Sequence, residues 1–252
     1  MNTKPTIQLH LFFASQSDRA VILRQGPSKQ CRMILWHRDT DRFEDGQWLK
    51  QRVYPDCCHL SPDGQHFIYF ALDAHWDSET KGSYTGISRP PYFTALALFP
   101  VGDTWSGGGA FFVDNHHVFV DGDPDIIGRA AGLSRVELGK PDPKGCTTDI
   151  RLRSGLPAPL SRQATKLLLE DPVPTSRSAM RYQLRHASAH LGAAYHCDGG
   201  KLYRSDGSGQ AALIRDFTDM AFEPIRAPYD WRGETGATEG EPSWHPLDGA
   251  GA

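Results

Sequence analysis

Residues 102–109 read Gly-Asp-Thr-Trp-Ser-Gly-Gly-Gly and run straight into Ala-Phe-Phe-Val. Such a cluster either cradles a phosphate or lets the backbone turn tightly. A phosphate-binding P-loop needs G-x4-G-K-[ST], because the lysine reaches the β- and γ-phosphates and the hydroxyl binds magnesium. Gly102 and Gly107 fit the first half, but Gly108 and Gly109 stand where lysine and Ser/Thr must be. The strand-like run that follows also takes the place of the helix whose N-terminus helps to hold the phosphate. No G-x-G-x-x-G opens a helix, so a dinucleotide fingerprint fails as well. The glycines therefore read as backbone devices at a bulge or strand entrance, with Trp105 packed beside them.

Metal chemistry has one candidate cluster, His116 and His117 with Asp121, Asp123 and Asp125. Asp-Gly-Asp-Pro-Asp places aspartates as a calcium loop does, but Ile126 replaces the required glycine and Gly132 the closing glutamate. Asp39, Asp41 and Asp45 fail the same test through Phe43 and read as an exposed turn. Cys57-Cys58-His59 and the series His186, His190, His196, Cys197 contain soft ligands but no C-x2–4-C pair. On a strand, Cys57 and Cys58 point to opposite faces. No metal and no cofactor is expected.

Nucleophile motifs are missing: there is no G-x-S-x-G and no H-E-x-x-H. Glu44, Glu170 and Glu223 are available as carboxylates, and none is singled out. Arg177, Arg181 and Arg185 share a face and read as a solvated ridge beside alternating apolar residues.

The elements that must position these groups are strands. RAVILRQ (19–25) and CRMILWH (31–37) flank a short polar turn and read as a hairpin. DTDRFEDGQW reads as a polar connection, and LKQRVY (49–54) as a half-buried strand by its alternation. Ser61-Pro62-Asp63-Gly64 is strong turn chemistry ahead of the inner strand HFIYFAL. YFTALALF (92–99) reads as a buried strand or short helix, and AFFVDN (110–115) with HVFVDG (117–122) as a hairpin across Asn115-His116. SRVEL, TDIRLRSG (148–155), TKLLLED (165–171) and AMRYQLRHA (179–187) are further strand candidates. Residues 191–217 read as three strands with turns at Asp198-Gly199-Gly200 and at 206–209. DMAFEP (219–224) follows; its Phe222 is expected to pack down and the segment to close the fold against the N-terminal strand.

Composition agrees with this reading. With 252 residues, 25 glycines and 18 prolines, the chain suits many short strands joined by tight turns. A net charge of −3 gives no sign of general nucleic-acid affinity. No apolar run approaches the ~18 residues of a membrane helix. LHLFFA (9–14) is too short for a secretory h-region, so a cytoplasmic location is expected. Five cysteines, two of them adjacent, point to reduced thiols.

Leu-Ser-Pro-Asp-Gly (60–64) before an apolar strand resembles the turn within a blade of WD40-like and TolB-like β-propellers. The set Trp36, Asp41, Phe43, Gly46, Trp48 and Arg52, with Pro90-Pro91-Tyr92, TWSGGG (104–109) and DMAFEP, is similar to a bacterial protein family without an established activity. That resemblance implies a domain of this kind and no catalytic residue.

The expected fold is all-β: a β-propeller or propeller-like array of short antiparallel sheets. Strand pairs recur every ~40–50 residues, which gives about five blades. A β-sandwich is the alternative. One domain spans 1–227, and 228–252 is a Gly/Pro/Glu-rich tail expected to be disordered. The expected function is a non-catalytic module that binds another protein, with Trp48, Arg52, Tyr92 and Trp105 as contact residues because Trp, Tyr and Arg dominate binding hot spots. The rivals are a hydrolase with its pocket at the propeller channel and a subunit or neutralising partner of another bacterial protein.

Overall fold

The computed structural model describes residues 7–27, 29–105, 108, 110–120, 123–129, 131–136, 150–151, 194–205 and 210–230. They form sixteen strands in four sheets. The first sheet is a meander of β1 (Gln8–Phe13), β2 (Arg19–Gln25), β3 (Cys31–His37) and β4 (Arg42–Leu49). The second contains β5 (Arg52–Val53), β6 (His59–Leu60), β7 (Phe67–Leu72), β8 (Ser83–Ser88) and β9 (Ala95–Pro100). Here β5 and β6 share one edge of β7, while β8 and β9 follow on its other side. The third runs β10 (Ala110–Phe112), β11 (His117–Val120), β12 (Ser134–Val136) and β13 (Ile150–Arg151), with β12 parallel to β11. The fourth has three strands, β14 (Tyr195–Asp198), β15 (Lys201–Ser205) and β16 (Ala211–Asp216).

Side-chain alternation divides each central strand between two cores. On β2 and β3, Ala20, Ile22, Ile34 and Trp36 join Leu202 and Phe217 beside the fourth sheet. Val21, Leu23, Cys31 and Met33 face the other way, onto Phe67, Tyr69, Tyr84 and Leu98 of the second sheet. Ile68, Ile87 and Phe99 of that second sheet then pack on Phe112, Val118 and Val120 of the third. The first and second sheets are thus covered on both faces, so RAVILRQ and CRMILWH are nearly continuous apolar runs. A β-sandwich has two sheets over one core. Four sheets with three separate cores do not fit that alternative.

The edges of the sheets also meet in sequence. β1 touches both β14 and β6, and β6 touches β10. Rings reinforce the first junction: Tyr195 lies 4.9 Å edge-on to Trp36 and 5.7 Å from Phe13. Arg204 grips Asp41 with both carboxylate oxygens at 2.8 and 2.9 Å, and Arg215 reaches Asp45 at 2.6 Å. Asp41 and Asp45 are therefore ion-pair partners of the fourth sheet rather than members of a merely exposed turn.

Three local readings need correction. The strand lies at Arg42–Leu49, inside the stretch read as a polar connection, and LKQRVY is broken at Lys50–Gln51. Its polar residues are accommodated by partners: Glu44 pairs with His37, Asp45 with Arg215, and Gln47 bonds across sheets. Cys57 sits in a 3-10 turn, Pro55–Cys57, not on a strand. β8, rich in Ser, Thr and Gly, has too few apolar residues to be read as a strand, yet all six of its residues are buried. The hairpins β2–β3, β10–β11 and β14–β15 and the strand choice for Ala95–Pro100 match expectation. TKLLLED and AMRYQLRHA lie outside the described residues. Among the described residues no helix is long and apolar enough to cross a membrane.

Gly46 lies tightly against the β8–β9 connection of the second sheet. A Cβ there would lie 1.9 Å from the Pro91 carbonyl oxygen, and the adjacent Gln47 N–H donates to that same oxygen at 3.0 Å. Gly46→Ala is expected to lower unfolding free energy by about 3 kcal/mol, read from the denaturant midpoint. Deleting residues 1–14 removes β1 and its junctions with β14 and β6. A clearly lower thermal midpoint is expected, and an unchanged one would show that these edges do not hold the ends together.

Candidate functional site

The strand registers bring one group of side chains to a common end of the second sheet. Arg52 pairs with Leu72, Leu72 with Ser83, and Tyr84 with Pro100. The loops that leave this end, 73–82 and 101–105, carry Trp76, Lys81 and Trp105. Trp105 is 96% exposed and Trp76 55% exposed, the two most exposed large apolar side chains among the described residues. Both loops are held firmly. Asp73 accepts from the His75 N–H at 2.9 Å and from the Thr80 hydroxyl at 2.6 Å, and Ser78 bonds to the His75 carbonyl and the Thr80 hydroxyl. The Val101 N–H donates to the Ser83 carbonyl, and the Ser83 hydroxyl donates to the Asp103 carbonyl at 2.6 Å. Trp76 lays one ring face over Gly82. Lys81 pairs with Asp123 at 2.5 Å, joining this end to the third sheet. Arg52 is exposed and stacks over Tyr54 at 4.9 Å.

Of the four residues expected from sequence, Arg52 and Trp105 share this end. Trp105 does not pack beside the glycines. Gly108 does the packing there: its φ is +75°, and a Cβ would lie 2.3 Å from Thr85 Oγ1 and 2.8 Å from Phe70. It therefore acts as a backbone device at a close approach, while Ser106, Gly107 and Gly109 lie outside the described residues. Tyr92 sits elsewhere, after the cis Pro90–Pro91 bond, edge-on to Tyr229 at 6.0 Å. Trp48 is buried in the first sheet. Trp76 and Lys81 were missed, although a lone tryptophan in DAHWDSETKG is a legible signal of an exposed ring.

Around Trp48 the C-terminal segment 217–230 forms a strap over the first two sheets. Arg24, Arg32 and Trp48 are cross-strand neighbours in one row. Both guanidinium groups lie over the indole, at 5.4 and 5.3 Å. Arg24 donates to the Phe217 and Thr218 carbonyls, each at 2.9 Å, and Arg32 donates to the Gly46 carbonyl and to Glu223 at 3.2 Å. Burial, and then the neighbouring Arg32, lower the proton affinity of Arg24. Phe222 tilts against Trp48 at 6.2 Å but keeps much of its surface in solvent, less packed down than its sequence suggests. DMAFEP thus meets β3 and β4 through Phe222 and Glu223, and its Met220 packs against the core that contains Phe13 of β1. Further along, Gln47 Nε2 donates to the Ile225 carbonyl, and its Oε1 accepts from the Phe93 and Thr94 N–H groups. The Tyr229 hydroxyl accepts from the Arg89 N–H at 3.0 Å, and Asp230 is buried. The packed chain therefore extends to Asp230.

Among the described residues the candidate ligands form no group of three or more that could hold a metal ion. His117 is buried with Nδ1 2.8 and 2.9 Å from the Asp114 oxygens, Asp125 accepts from the Leu98, Ile127 and Gly128 N–H groups, and His116 is exposed. Asp121, His186, His190, Glu170 and the arginines 177, 181 and 185 lie outside the described residues. Cys31, Cys57, Cys58 and Cys197 are free thiols. Burial drives the Cys58 thiol well above its ordinary range and that of Cys197 up to about 11, so neither is a ready thiolate at neutral pH. Glu44 is engaged by His37 and Arg42, and Glu223 by Arg32.

Burial alone would raise the Asp114 carboxyl, but N–H donation from His116 and His117 and contact with the His117 ring outweigh it and hold it below the usual carboxylate range. A lowered carboxyl stabilises the fold above its unfolded value, and that contribution disappears as pH falls through the folded one. Asp114→Asn is expected to lower the thermal midpoint at pH 7, with the gap to the native chain closing below about pH 4. A gap that is constant with pH would exclude this charge effect.

The chain matches no family model, and no curated protein and no solved structure is similar to it.

Proposed function

We propose that the chain is a non-catalytic protein-interaction module on a five-bladed, propeller-like scaffold. Its partner docks on the end of the second sheet that displays Trp76 and Trp105 beside Arg52 and Lys81. The observation that carries this reading is the exposure of Trp105 at 96%, at the same end of the sheet as a second tryptophan on a loop pinned by its own hydrogen bonds. Exposed aromatic surface is unfavourable in water, and a partner that covers it gains binding energy. A preformed loop loses little entropy on docking, and Trp and Arg are the residue types that anchor interfaces.

The ring is supported by the order of packing. The fourth sheet, last in the chain, packs on the first, which packs on the second, which packs on the third. That is the neighbour pattern of blades around an axis. The four sheets of the described residues correspond in this proposal to four of the five blades. The far face of the fourth sheet carries His196 stacked on Tyr203 at 4.9 Å and an exposed Leu213, as expected of a blade with another neighbour. Residues on which the resemblance to a propeller-like family rests hold the first sheet together and join it to the second: Trp36 donates to Asp41 and stacks on Phe43, and Gly46 admits Pro91.

The test is affinity purification of the tagged chain from its native cells, in parallel with the double variant Trp76→Ala/Trp105→Ala. A stoichiometric protein partner held by the native chain and reduced at least tenfold by the variant is expected. Both tryptophans are largely solvent-facing, so the thermal midpoint should move little. A solitary monomer, or a partner held equally by both, would overturn the reading.

A further inference from the structure

Arg24 and Arg32 are 4% and 5% exposed and stand directly opposite each other on β2 and β3. Like charges in that position repel, and buried charges need compensation. Among the described residues, Glu223 is the one carboxylate in ion-pair reach of either, through a single contact at 3.2 Å, and its side chain is 66% exposed. The third member of the row, Trp48, is 5% exposed, and its indole N–H has no acceptor among the described residues. Two guanidinium groups and an indole N–H thus converge beneath a strap that supplies one half-engaged acid. The strap residues from Thr218 to Pro224 are mostly exposed and belong to no strand. Their hold on the row is Phe222 against Trp48, Glu223 on Arg32 and the two carbonyls on Arg24.

We infer that Arg24, Arg32 and Trp48 form a binding site for an acidic peptide, and that Phe222-Glu223 of the strap is a built-in stand-in for it. The stand-in defines the ligand: an extended segment with an aromatic residue followed by a carboxylate. The ring covers the indole and the carboxylate takes the Arg32 guanidinium. A partner segment that also fills the Trp48 N–H and bonds Arg32 with both oxygens outcompetes the strap, because bidentate Arg–carboxylate pairs are the stronger form. This site is separate from the Trp76/Trp105 end, and neither proposal depends on the other.

The probe is a fluorescein-labelled peptide copying residues 220–225, Met-Ala-Phe-Glu-Pro-Ile. Its anisotropy is titrated with the native chain, with Phe222→Ala/Glu223→Gln, and with that double variant plus Arg32→Met. The double variant is expected to bind at least tenfold more tightly than the native chain, and Arg32→Met to abolish the gain. Glu223→Gln alone alters one mostly exposed carboxylate, so it serves if the double variant does not fold, with a gain of several-fold expected. Equal binding by native and emptied chains, or none by either, overturns the inference and leaves the strap as a clasp. Displacement of the strap by inorganic phosphate without peptide binding also overturns it.

Discussion

Everything else in this molecule rests on the burial of β2 and β3 on both faces. A strand with one wet face can tolerate alternation; these two cannot, and each residue along them serves one of two cores. Val21 and Met33 commit the first sheet to the second, while Ile22 and Trp36 commit it to the fourth. Because side chains alternate with a period of two, a slip of one residue in the β2–β3 pairing would exchange the two sets and spoil both cores at once. Register is therefore strongly specified at the centre. The edges are free to carry the broken pair β5 and β6, the parallel step at β12 and the three-stranded fourth sheet.

The same constraint explains what the sequence made legible. Continuous apolar runs flagged β2, β3, β7 and β9, and turn chemistry placed the loops after Leu60 and Asp198. The strands that escaped notice are those whose burial is polar. β4 reads Arg-Phe-Glu-Asp-Gly-Gln-Trp-Leu; its acids are half-buried against His37 and Arg215, and its amide is buried against Thr94. β8 hides the Ser83 and Thr85 hydroxyls by bonding them to the backbone carbonyls of Asp103 and Gly108. Partners of that kind are tertiary facts with no local trace. The candidate site shows the same limit: Arg52 and Trp105 were chosen by residue type, but their shared location comes from strand register. Trp48 was chosen on the same ground and is buried.

Gln47 shows how closely the strap and the sheets are joined. Its amide oxygen serves the backbone N–H groups of Phe93 and Thr94, just ahead of β9, while its nitrogen serves Thr94 and Ile225. Such a fully engaged buried amide specifies one arrangement, since any other leaves donors or acceptors unpaired. The strap is thus firmly tied at Ile225 and Tyr229 and more loosely at Phe222–Glu223, so one part can exchange while the rest stays seated.

The packing of the fourth sheet against the first has a consequence for synthesis. The Trp36 face of the first sheet is made long before its cover, from Tyr195 to Phe217. At translation rates of roughly 5–20 residues per second, Ile22, Ile34 and Trp36 wait about 10–40 s for their partners. During that interval a nascent chain holds an open aromatic surface that a segment not yet made must close. The ribosome-bound intermediate, more than the finished protein, is where this sequence calls for a chaperone.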